Sequence, residues 1–464
     1  MSEITSPLCP SVEAMRQPVR DGTTGPLRWR LEQLGRLDIL LHSAESKLLE
    51  ALARDLGKPP LEAYVELAGV REELRHTRRH LSRWMAGQGI GLPPWSWPAR
   101  ARVHPEPLGC VLILGAWNYP FQLCLQPLVS ALAAGNTAVI KPSELAPSTG
   151  GLIASLLKEA FPSETVQVVQ GNGQVGAQLL DERFDHIFFT GGARVGRQVM
   201  AAAARHLTPI TLELGGKSPA IVLGDAPIAT TARRLVWGKG LNAGQTCVAP
   251  DHLLVVPEVA PRLLEAIARE IGRLYGPDPL ASEDLGRLVN RSQFDRLAGL
   301  ISEASQRQQV LLGGRADQEQ CRIEPTVLRV EDPETDPLMQ EELFGPLLPV
   351  VTVPNLEAAI ARVQAGPKPL ALYVFGGTRR DQELVRQRTS SGSLAFNDVV
   401  LQVAAPQLPF GGVGESGMGA YHGHRGFLTF SHQRSILKRG AWPDLPFRYP
   451  PYGDKLVLLK RLIG

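Results

Sequence analysis

The sequence contains few cysteines, and their spacing excludes the common cysteine-based architectures. No two of them form a CxxC pair, as zinc ribbons and redox motifs require, and their number is odd. They are scattered along the chain, at Cys9, Cys110, Cys124, Cys247 and Cys321. Neither a disulfide framework nor a metal centre is therefore indicated. We expect a protein of a reducing, cytoplasmic compartment that binds no metal.

The chain also lacks long apolar runs and an excess of charge of either sign. No segment approaches the ~20 apolar residues that a membrane-spanning helix needs, and the N-terminus has no apolar core typical of a signal peptide. The 49 basic and 46 acidic side chains leave a formal charge of +3, which argues against nucleic acid as a partner. These absences favour a soluble protein that acts on a small molecule.

The order of apolar segments predicts an α/β protein of more than one domain. The 464 residues exceed one ordinary core, and apolar residues at helical spacing predict helices within 27–56 and 61–84. Short apolar runs then alternate with helical stretches from residue 108, and a second such series begins near Ser218. This alternation predicts two units with parallel sheets covered by helices, whose ligands bind at the carboxyl ends of the strands.

Two glycine-rich turns compete as the phosphate-binding loop of the first unit. The segment "GNGQVG", residues 171–176, matches GxGxxG, but the match is weak in a chain with 46 glycines. The segment "FFTGGARVG" is the stronger candidate, because Gly191 lies at a strand-to-helix turn and Gly196 lies in the first helical turns. Backbone amides at such a helix start can approach a pyrophosphate.

Three residues of different segments have the chemistry needed to oxidise an aldehyde. Cys247, in "GQTC", is a candidate nucleophile, because a thiolate attacks carbonyl carbon and later leaves from a thioester. Glu213, in "LELGGKSP", is a candidate base for thioester hydrolysis, and Asn118, in "GAWNYPF", is a candidate oxyanion donor. Taken singly, an inert thiol, an ion-paired carboxylate and a helix cap explain them as well. Only the combination favours catalysis.

Two further pairs of residues remain open to two interpretations each. Lys141 and Glu144, in "IKPSE", supply a cation and a ribose-binding carboxylate, or simply a solvated turn. Tyr64 and Trp117 line an apolar pocket for an aromatic or medium-to-long-chain substrate, or belong to the core.

The motifs together resemble those of the NAD(P)-dependent aldehyde dehydrogenases. "GAWNYPF", "IKPSE", "FFTGG", "LELGGKSP", "GQTC", "EELFGP" and "PFGGVGESGMGAYHG" follow one another in the order found in that family, and Glu213 precedes Cys247 by 34 positions. The wording of "HLTPITLELGGKSP" and "RYPPY" is most similar to the class 3 branch, which includes fatty, aromatic and coniferyl-type aldehyde enzymes. The resemblance covers about residues 27–453.

The resemblance implies an activity and a set of site residues. An aldehyde is oxidised to the carboxylic acid with hydride transfer to NAD or NADP, through a thioester on Cys247 that water hydrolyses with Glu213 as base and Asn118 as oxyanion donor. The implied cofactor contacts are Lys141 and Glu144 at the adenosine ribose, Gly191 and Gly196 near the pyrophosphate, and Glu342 and Phe344 at the nicotinamide riboside. The Glu144 carboxylate favours NAD, because it would repel a 2′-phosphate; NADP remains possible.

The resemblance also implies the architecture. A Rossmann-like cofactor domain spans residues 1–212, with a bridging arm near 92–104, and a second α/β domain with the catalytic cysteine spans 213–420. Residues 421–464 form a small bridging element that supports a homodimer. Membrane-bound relatives carry a long apolar C-terminal anchor, whereas this sequence stops at Gly464 without one.

Three alternative functions are compatible with parts of this pattern. A CoA-acylating or phosphorylating relative would release the acyl group to another nucleophile, and a reductase of activated acyl groups would use the same thiol. Glu213 argues for water as the acceptor. A non-catalytic binding homologue is the third alternative, and the presence of Cys247, Glu213 and Asn118 argues against it.

Overall fold

A computed structural model describes residues 12–93, 96–444 and 446–463. Three features of the sequence lie wholly or partly outside these ranges: Cys9 with the rest of residues 1–11, Pro94 and Trp95 of the bridging arm, and Gly464.

Helices and strands alternate along most of the chain. The helices are α1 (Val12–Arg20), α2 (Leu27–Ser43), α3 (Glu45–Leu56), α4 (Pro60–Met85), α5 (Gln122–Ala134), α6 (Pro147–Ala160), α7 (Gly173–Asp181), α8 (Ala193–Ala204), α9 (Ile228–Gly240), α10 (Ala260–Tyr275), α11 (Arg291–Gln306), α12 (Pro337–Gln340), α13 (Leu356–Ala365), α14 (Arg379–Arg388), α15 (Gly423–Thr429) and α16 (Lys455–Ile463). The strands are β1 (Gln88–Ile90), β2 (Arg100–Pro107), β3 (Cys110–Leu114), β4 (Thr137–Lys141), β5 (Val166–Val168), β6 (His186–Thr190), β7 (Ile210–Glu213), β8 (Pro219–Val222), β9 (His252–Val255), β10 (Val310–Leu312), β11 (Ala316–Asp317), β12 (Arg322–Ile323), β13 (Thr326–Val330), β14 (Leu347–Thr352), β15 (Ala371–Phe375), β16 (Ser393–Phe396), β17 (Gly417–Met418) and β18 (Ser431–Lys438).

The first α/β unit is built on a six-stranded sheet with the order β17-β7-β6-β3-β4-β5. All neighbours are parallel except β17, which runs antiparallel to β7. Strands β3 and β4 are buried at every position, as expected of apolar runs covered on both faces. The predicted parallel sheet is confirmed for this unit, and the carboxyl ends of β3, β4, β6 and β7 meet at one edge.

The second α/β unit is built on a seven-stranded sheet with the order β10-β13-β14-β9-β8-β15-β16. Its strands are parallel except for β10, which pairs antiparallel with β13. Cys247 lies in the connection between α9 and β9, and Glu342 and Phe344 lie just before β14. Both groups therefore come from loops of this second sheet.

A third sheet is antiparallel and joins two distant parts of the chain. Strand β2 pairs over its full length with β18, from Ser431 opposite Pro107 to Lys438 opposite Arg100. Strand β1 covers the other edge of β2, so that β18 is left as an edge strand, and seven of its eight residues are exposed.

Part of the polar leader belongs to the fold. In α1, Val12 and Met15 are buried on one face of the helix against the six-stranded sheet. The Thr137 hydroxyl donates to the Met15 carbonyl at 2.8 Å, and Arg16 Nε donates to Asp185 Oδ2 at 2.8 Å. The sequence predicts no role for this segment, because two apolar residues one turn apart are too few to indicate a packed helix.

None of the helices in the described ranges is long and apolar enough to cross a membrane.

Candidate active site

Cys247 follows a loop whose backbone is tightly turned. After α9 the chain takes left-handed conformations at Asn242 (φ 53°), Ala243 (φ 52°) and Gly244 (φ 77°). A Cβ at Gly244 would overlap the Gly345 carbonyl, so only glycine fits there. Such backbone persists where the surroundings determine it, and it occurs often at functional sites. The turn leaves Cys247 half-buried, with its thiol reduced.

Asn118 is fixed directly beside this loop. Its Nδ2 donates to the Gln245 carbonyl at 3.1 Å, and its own carbonyl accepts from Asn242 Nδ2 at 2.8 Å. An amide NH₂ carries two hydrogens, so one remains for an oxyanion. Asn118 does not cap the following helix: the N-cap of α5 is Phe121, and the first amides of that helix are bonded by the Glu66 side chain instead.

The Cys247 thiol lies in surroundings that disfavour its ionised form. Burial, followed by the nearby carboxylates of Glu342 and Glu213, raises the pKa of Cys247 to about 12. The backbone N–H groups of Cys247 and Val248 donate to the sulfur and oppose this shift. The thiol is therefore protonated at neutral pH in the protein alone, and it must lose its proton before it attacks a carbonyl.

Glu213, at the carboxyl end of β7, is a buried carboxylate without a partner. Its side chain is 3% exposed, and neither carboxylate oxygen accepts a hydrogen bond from any residue in the described ranges. Burial raises the pKa of Glu213 well above its usual value. A buried carboxyl group without a hydrogen-bond partner among the described residues costs stability, so Glu213 is not explained by a structural role.

A cavity of about 650 Å³ reaches Cys247, and most of its lining side chains are apolar or aromatic. Tyr64, Trp237, Phe410 and Tyr421 are among the lining residues, together with Asn118. Trp117, the second aromatic candidate, instead packs edge-to-face against Phe344, with 5.3 Å between the ring centroids. The sequence alone does not tell which of these two aromatic residues lines the cavity, because both lie next to apolar segments.

The two glycine-rich turns differ in whether their helix starts are open. At α7, the Asn172 side chain accepts from the amides of Gln174 (3.0 Å) and Val175 (3.4 Å), so the cap is made within the loop. At α8, the N-cap is Gly192, no side chain of the described residues caps it, and a Cβ there would meet nothing within 4 Å. The start of α8 thus fits an anionic group such as a pyrophosphate.

Gly191 and Gly196 shape this turn by being small. A Cβ at Gly191 would lie 2.5 Å from Phe189 Cζ, and one at Gly196 would lie 2.8 Å from Leu214 Cδ2. Both glycines allow α8 to pack closely on β6 and the end of β7.

Lys141 and Glu144 form an ion pair at the end of β4. Lys141 Nζ donates to Glu144 Oε2 at 3.0 Å and to the Pro142 carbonyl at 3.1 Å. Burial acts to raise the pKa of Glu144, but hydrogen bonds from its own amide, from Lys141 and from Gly173 lower it overall. The carboxylate is therefore ionised, and the "GNGQVG" segment contributes an amide that orients Glu144.

Glu342 lies between the two α/β units. A Cβ at Gly215 would overlap its carboxylate, and the Gly216 amide donates to it. Burial and the charge of Asp251 raise the pKa of Glu342 to about 8. Phe344 has a left-handed backbone (φ 50°), and its ring contacts Trp117. Glu342 is thus near both Cys247, whose pKa it raises, and the loop after β7.

Three charged residues at the start of α4 were not predicted from the sequence. Lys58 Nζ donates to the Asn118 carbonyl at 2.8 Å and to Glu66 Oε1 at 2.5 Å, while Glu62 Oε2 accepts from the Asn242 amide at 2.8 Å. The sequence shows that Lys58, Glu62 and Glu66 recur every four residues, but charged residues at this spacing usually indicate a solvated surface rather than a buried one.

The Cys247 thiol lies near the buried carboxyl groups of Glu213 and Glu342, and the first sheet carries an open helix start, which together fit an NAD(P)-dependent oxidoreductase. The chain belongs to the aldehyde dehydrogenase family, whose model matches residues 11–436. It oxidises an aldehyde to the carboxylic acid and uses NAD or NADP.

Individual relatives confirm the resemblance to the class 3 branch. Aldehyde dehydrogenase family 3 member H1 of Arabidopsis thaliana is 43% identical over 455 residues, which cover 97% of this chain and 94% of that protein. The dimeric NADP-preferring aldehyde dehydrogenase of Rattus norvegicus is 43% identical over 454 residues, with 97% and 99% covered. The substrate-bound structure of Staphylococcus aureus AldH superimposes with a TM-score of 0.94 at 39% identity, covering 97% of this chain and 98% of that one.

Proposed function

We propose that the protein oxidises aromatic or medium-to-long-chain aliphatic aldehydes, with Cys247 as the nucleophile. The observation that carries this proposal is the cavity of about 650 Å³, which is lined largely by apolar side chains and reaches the thiol. Each apolar group that a substrate buries against such a lining makes its binding free energy more favourable. A two-carbon aldehyde buries too little apolar surface to benefit much.

In the first step, Cys247 Sγ gives its proton to water and bonds to the aldehyde carbon, and the carbonyl oxygen becomes an oxyanion. The second hydrogen of the Asn118 amide and the backbone N–H of Cys247 are proposed to donate to that oxygen. Donors already oriented by other bonds stabilise developing charge without reorganisation. Asn118 meets this requirement because Gln245 and Asn242 hold it in place.

Lys141, Glu144, Gly191, Gly196, Glu342 and Phe344 are proposed to hold the dinucleotide. The open start of α8 and the ionised Glu144 fit a pyrophosphate and a ribose, respectively. A bound dinucleotide would supply the acceptor for the hydride of the substrate carbon, and Cys247 would then hold the acyl group as a thioester.

In the last step, Glu213 takes a proton from a water molecule as the water oxygen bonds to the thioester carbon. The carbon–sulfur bond then breaks, and Cys247 leaves as the thiolate while the carboxylic acid is released. The absence of a hydrogen-bond partner for Glu213 among the described residues supports this role, because it leaves both oxygens available for water.

The substrate proposal predicts a steep dependence on aldehyde size. Each buried methylene contributes about 0.8 kcal/mol, so kcat/KM for octanal and benzaldehyde should exceed that for acetaldehyde by at least ~100-fold. Initial rates of NADH formation over an aldehyde series measure this. Equal kcat/KM for acetaldehyde and octanal would contradict the proposed substrate class.

We also propose that NAD is preferred to NADP, because the ionised Glu144 carboxylate repels a 2′-phosphate. Replacing Glu144 by glutamine should lower the ratio of kcat/KM for NAD to that for NADP by about tenfold, since removal of one charge contact of this kind is worth roughly 1.4 kcal/mol. Glu182→Gln, on an exposed residue after α7, is the matched control and should leave the ratio unchanged. If the ratio of kcat/KM for NAD to that for NADP is unchanged in Glu144→Gln, then Glu144 does not discriminate between the two cofactors.

A further part of the proposal concerns assembly and location. The division into a cofactor domain (1–212), a catalytic domain (213–420) and a bridging tail (421–464) is supported by the two large sheets, whose strands lie mainly on either side of residue 213. The exposed edge of β18 and a rat relative named as dimeric support a homodimer. The four described cysteines form no disulfide, which supports a reducing, cytoplasmic compartment.

Light scattering at micromolar concentration should therefore give twice the mass of one chain. A particle with the mass of a single chain would contradict the homodimer.

A further inference from the structure

Three ionisable residues at the start of α4 point toward the site, although the mechanism does not use them. Glu62 and Glu66 are four residues apart on one face of α4, and Lys58 lies two residues before that helix begins. The side chains of Lys58 and Glu66 have no exposed surface at all. Charged side chains are rarely buried so completely, so their contacts need an explanation.

The Lys58–Glu66 ion pair holds the chain on both sides of Tyr119 and Pro120. Glu66 Oε1 accepts from Lys58 Nζ at 2.5 Å, while Oε2 accepts from the amides of Phe121 (3.1 Å) and Gln122 (3.2 Å). Glu66 therefore satisfies amides at the start of α5, three to four residues after the oxyanion donor Asn118.

Lys58 contacts the oxyanion donor itself. Its Nζ donates to the Asn118 carbonyl at 2.8 Å and lies 3.8 Å from the centroid of the Tyr119 ring. The Tyr119 hydroxyl in turn shares a hydrogen bond of 2.6 Å with Thr246 Oγ1, next to the nucleophile. Lys58 thus holds the carbonyl of residue 118 and contacts the ring of residue 119.

Glu62 holds the loop that carries the thiol. Its Oε2 accepts from the Asn242 amide at 2.8 Å, at a residue with left-handed backbone. The Asn242 side chain donates to the carbonyls of both Asn118 and Gln245, and Asn118 Nδ2 donates to the same Gln245 carbonyl. One helix end therefore sets the positions of the oxyanion loop and of the nucleophile loop together.

A buried ion pair contributes little net stability compared with apolar side chains of similar size, because desolvation offsets the attraction. What it does supply is a defined geometry, and a displacement of 1 Å in a catalytic group can lower a rate by about 100-fold. We infer that Lys58, Glu62 and Glu66 are positioning residues that act on the reaction through Asn118 and the loop of Cys247. This inference rests on the proposed roles of those two residues.

The test compares two reactions of the same thiol. Acylation by aldehyde, followed as the pre-steady-state burst of NADH, forms an oxyanion, whereas alkylation of Cys247 by iodoacetamide does not. Lys58→Met should slow the burst by about 10- to 100-fold and leave the alkylation rate within about twofold. The double variant Lys58→Met/Glu66→Gln should behave in the same way and leaves no unpaired charge buried, so it serves if the single variant does not fold.

Two reference variants complete the test. Lys47→Met makes the same change at an exposed lysine of α3 and should alter neither rate. Asn118→Ala should show the same split between burst and alkylation, and adding Lys58→Met to it should lower the burst by less than about twofold, because Lys58 acts through Asn118. The dissociation constant for NAD, measured by fluorescence, should be unchanged in every variant.

Each of three results would overturn the inference. The first is a normal burst rate in Lys58→Met. The second is a burst rate and an alkylation rate that fall by the same factor in Lys58→Met. The third is a double variant with Asn118→Ala in which the two single losses of burst rate multiply. Failure of the proposed function looks different, because Cys247→Ala or Asn118→Ala would then retain a full burst whatever the Lys58 variants do.

Discussion

Cys247→Ala is expected to abolish aldehyde oxidation while leaving dinucleotide binding intact. The proposed reaction cannot begin without a sulfur atom to bond to the substrate carbon, and loss of a nucleophile in a covalent mechanism costs at least ~10⁴-fold in kcat. The folded structure should tolerate the change, because Cys247 is half-buried and alanine keeps its Cβ. Steady-state NADH formation at saturating aldehyde, with NAD binding measured in parallel, gives both quantities.

Cys321→Ala is the matched control for this experiment. Cys321 is also half-buried and free, but it lies between β11 and β12 and does not line the cavity. Its replacement should leave kcat and KM unchanged. Full dehydrogenase activity in Cys247→Ala would rule out covalent catalysis at this residue.

Glu213→Gln is expected to separate acylation from release of the acid. Glutamine has the shape of the carboxylate but accepts no proton from water, so thioester hydrolysis should slow by about 10²- to 10⁴-fold. No hydrogen bond to a described residue is lost, because the Glu213 oxygens have none. A rapid burst of one NADH per active site, followed by a slow steady state, is the expected time course.

The pH dependence of the release step gives a second measure of the same role. Burial raises the pKa of Glu213 well above its usual value, so the fraction of ionised base increases as the pH rises through that pKa. Release in the parent should therefore accelerate with pH until the carboxyl group is ionised, and this increase should be missing in Glu213→Gln. Release that depends on added CoA in the parent would instead assign the protein to the acylating dehydrogenases.

The parts of the site that sequence predicts well are those that parallel strands bring together. Asn118 follows β3, and Glu213 is the last residue of β7. Because both strands belong to one parallel sheet, their carboxyl ends lie at the same edge for any conformation of the loops. Cys247 comes from the second sheet, and its partners could be assigned only through the family resemblance. The fold brings all three together, while their chemical roles stay predictions until the variants are measured.

The parts that sequence does not predict depend on long-range partners. Both "GNGQVG" and "FFTGGARVG" have the spacing of a phosphate loop, and the difference lies in one side chain, Asn172, that occupies the amides of α7. Lys58 and Glu66 have the composition of a solvated helix face, and only their contacts with residues 118–122 explain their burial. Strand β17 has two residues in a glycine-rich loop, too few to show alternation.

That short strand has a mechanical consequence. Gly417 pairs with Glu213 and Met418 pairs with Leu212, and the Leu214 amide donates to the Ser416 carbonyl at 3.1 Å. A segment that follows the whole second sheet in the chain is therefore hydrogen-bonded to the strand that carries the base. Moving the two sheets apart would break these hydrogen bonds, so they couple the strand of Glu213 to a segment that the chain reaches only after completing the second sheet.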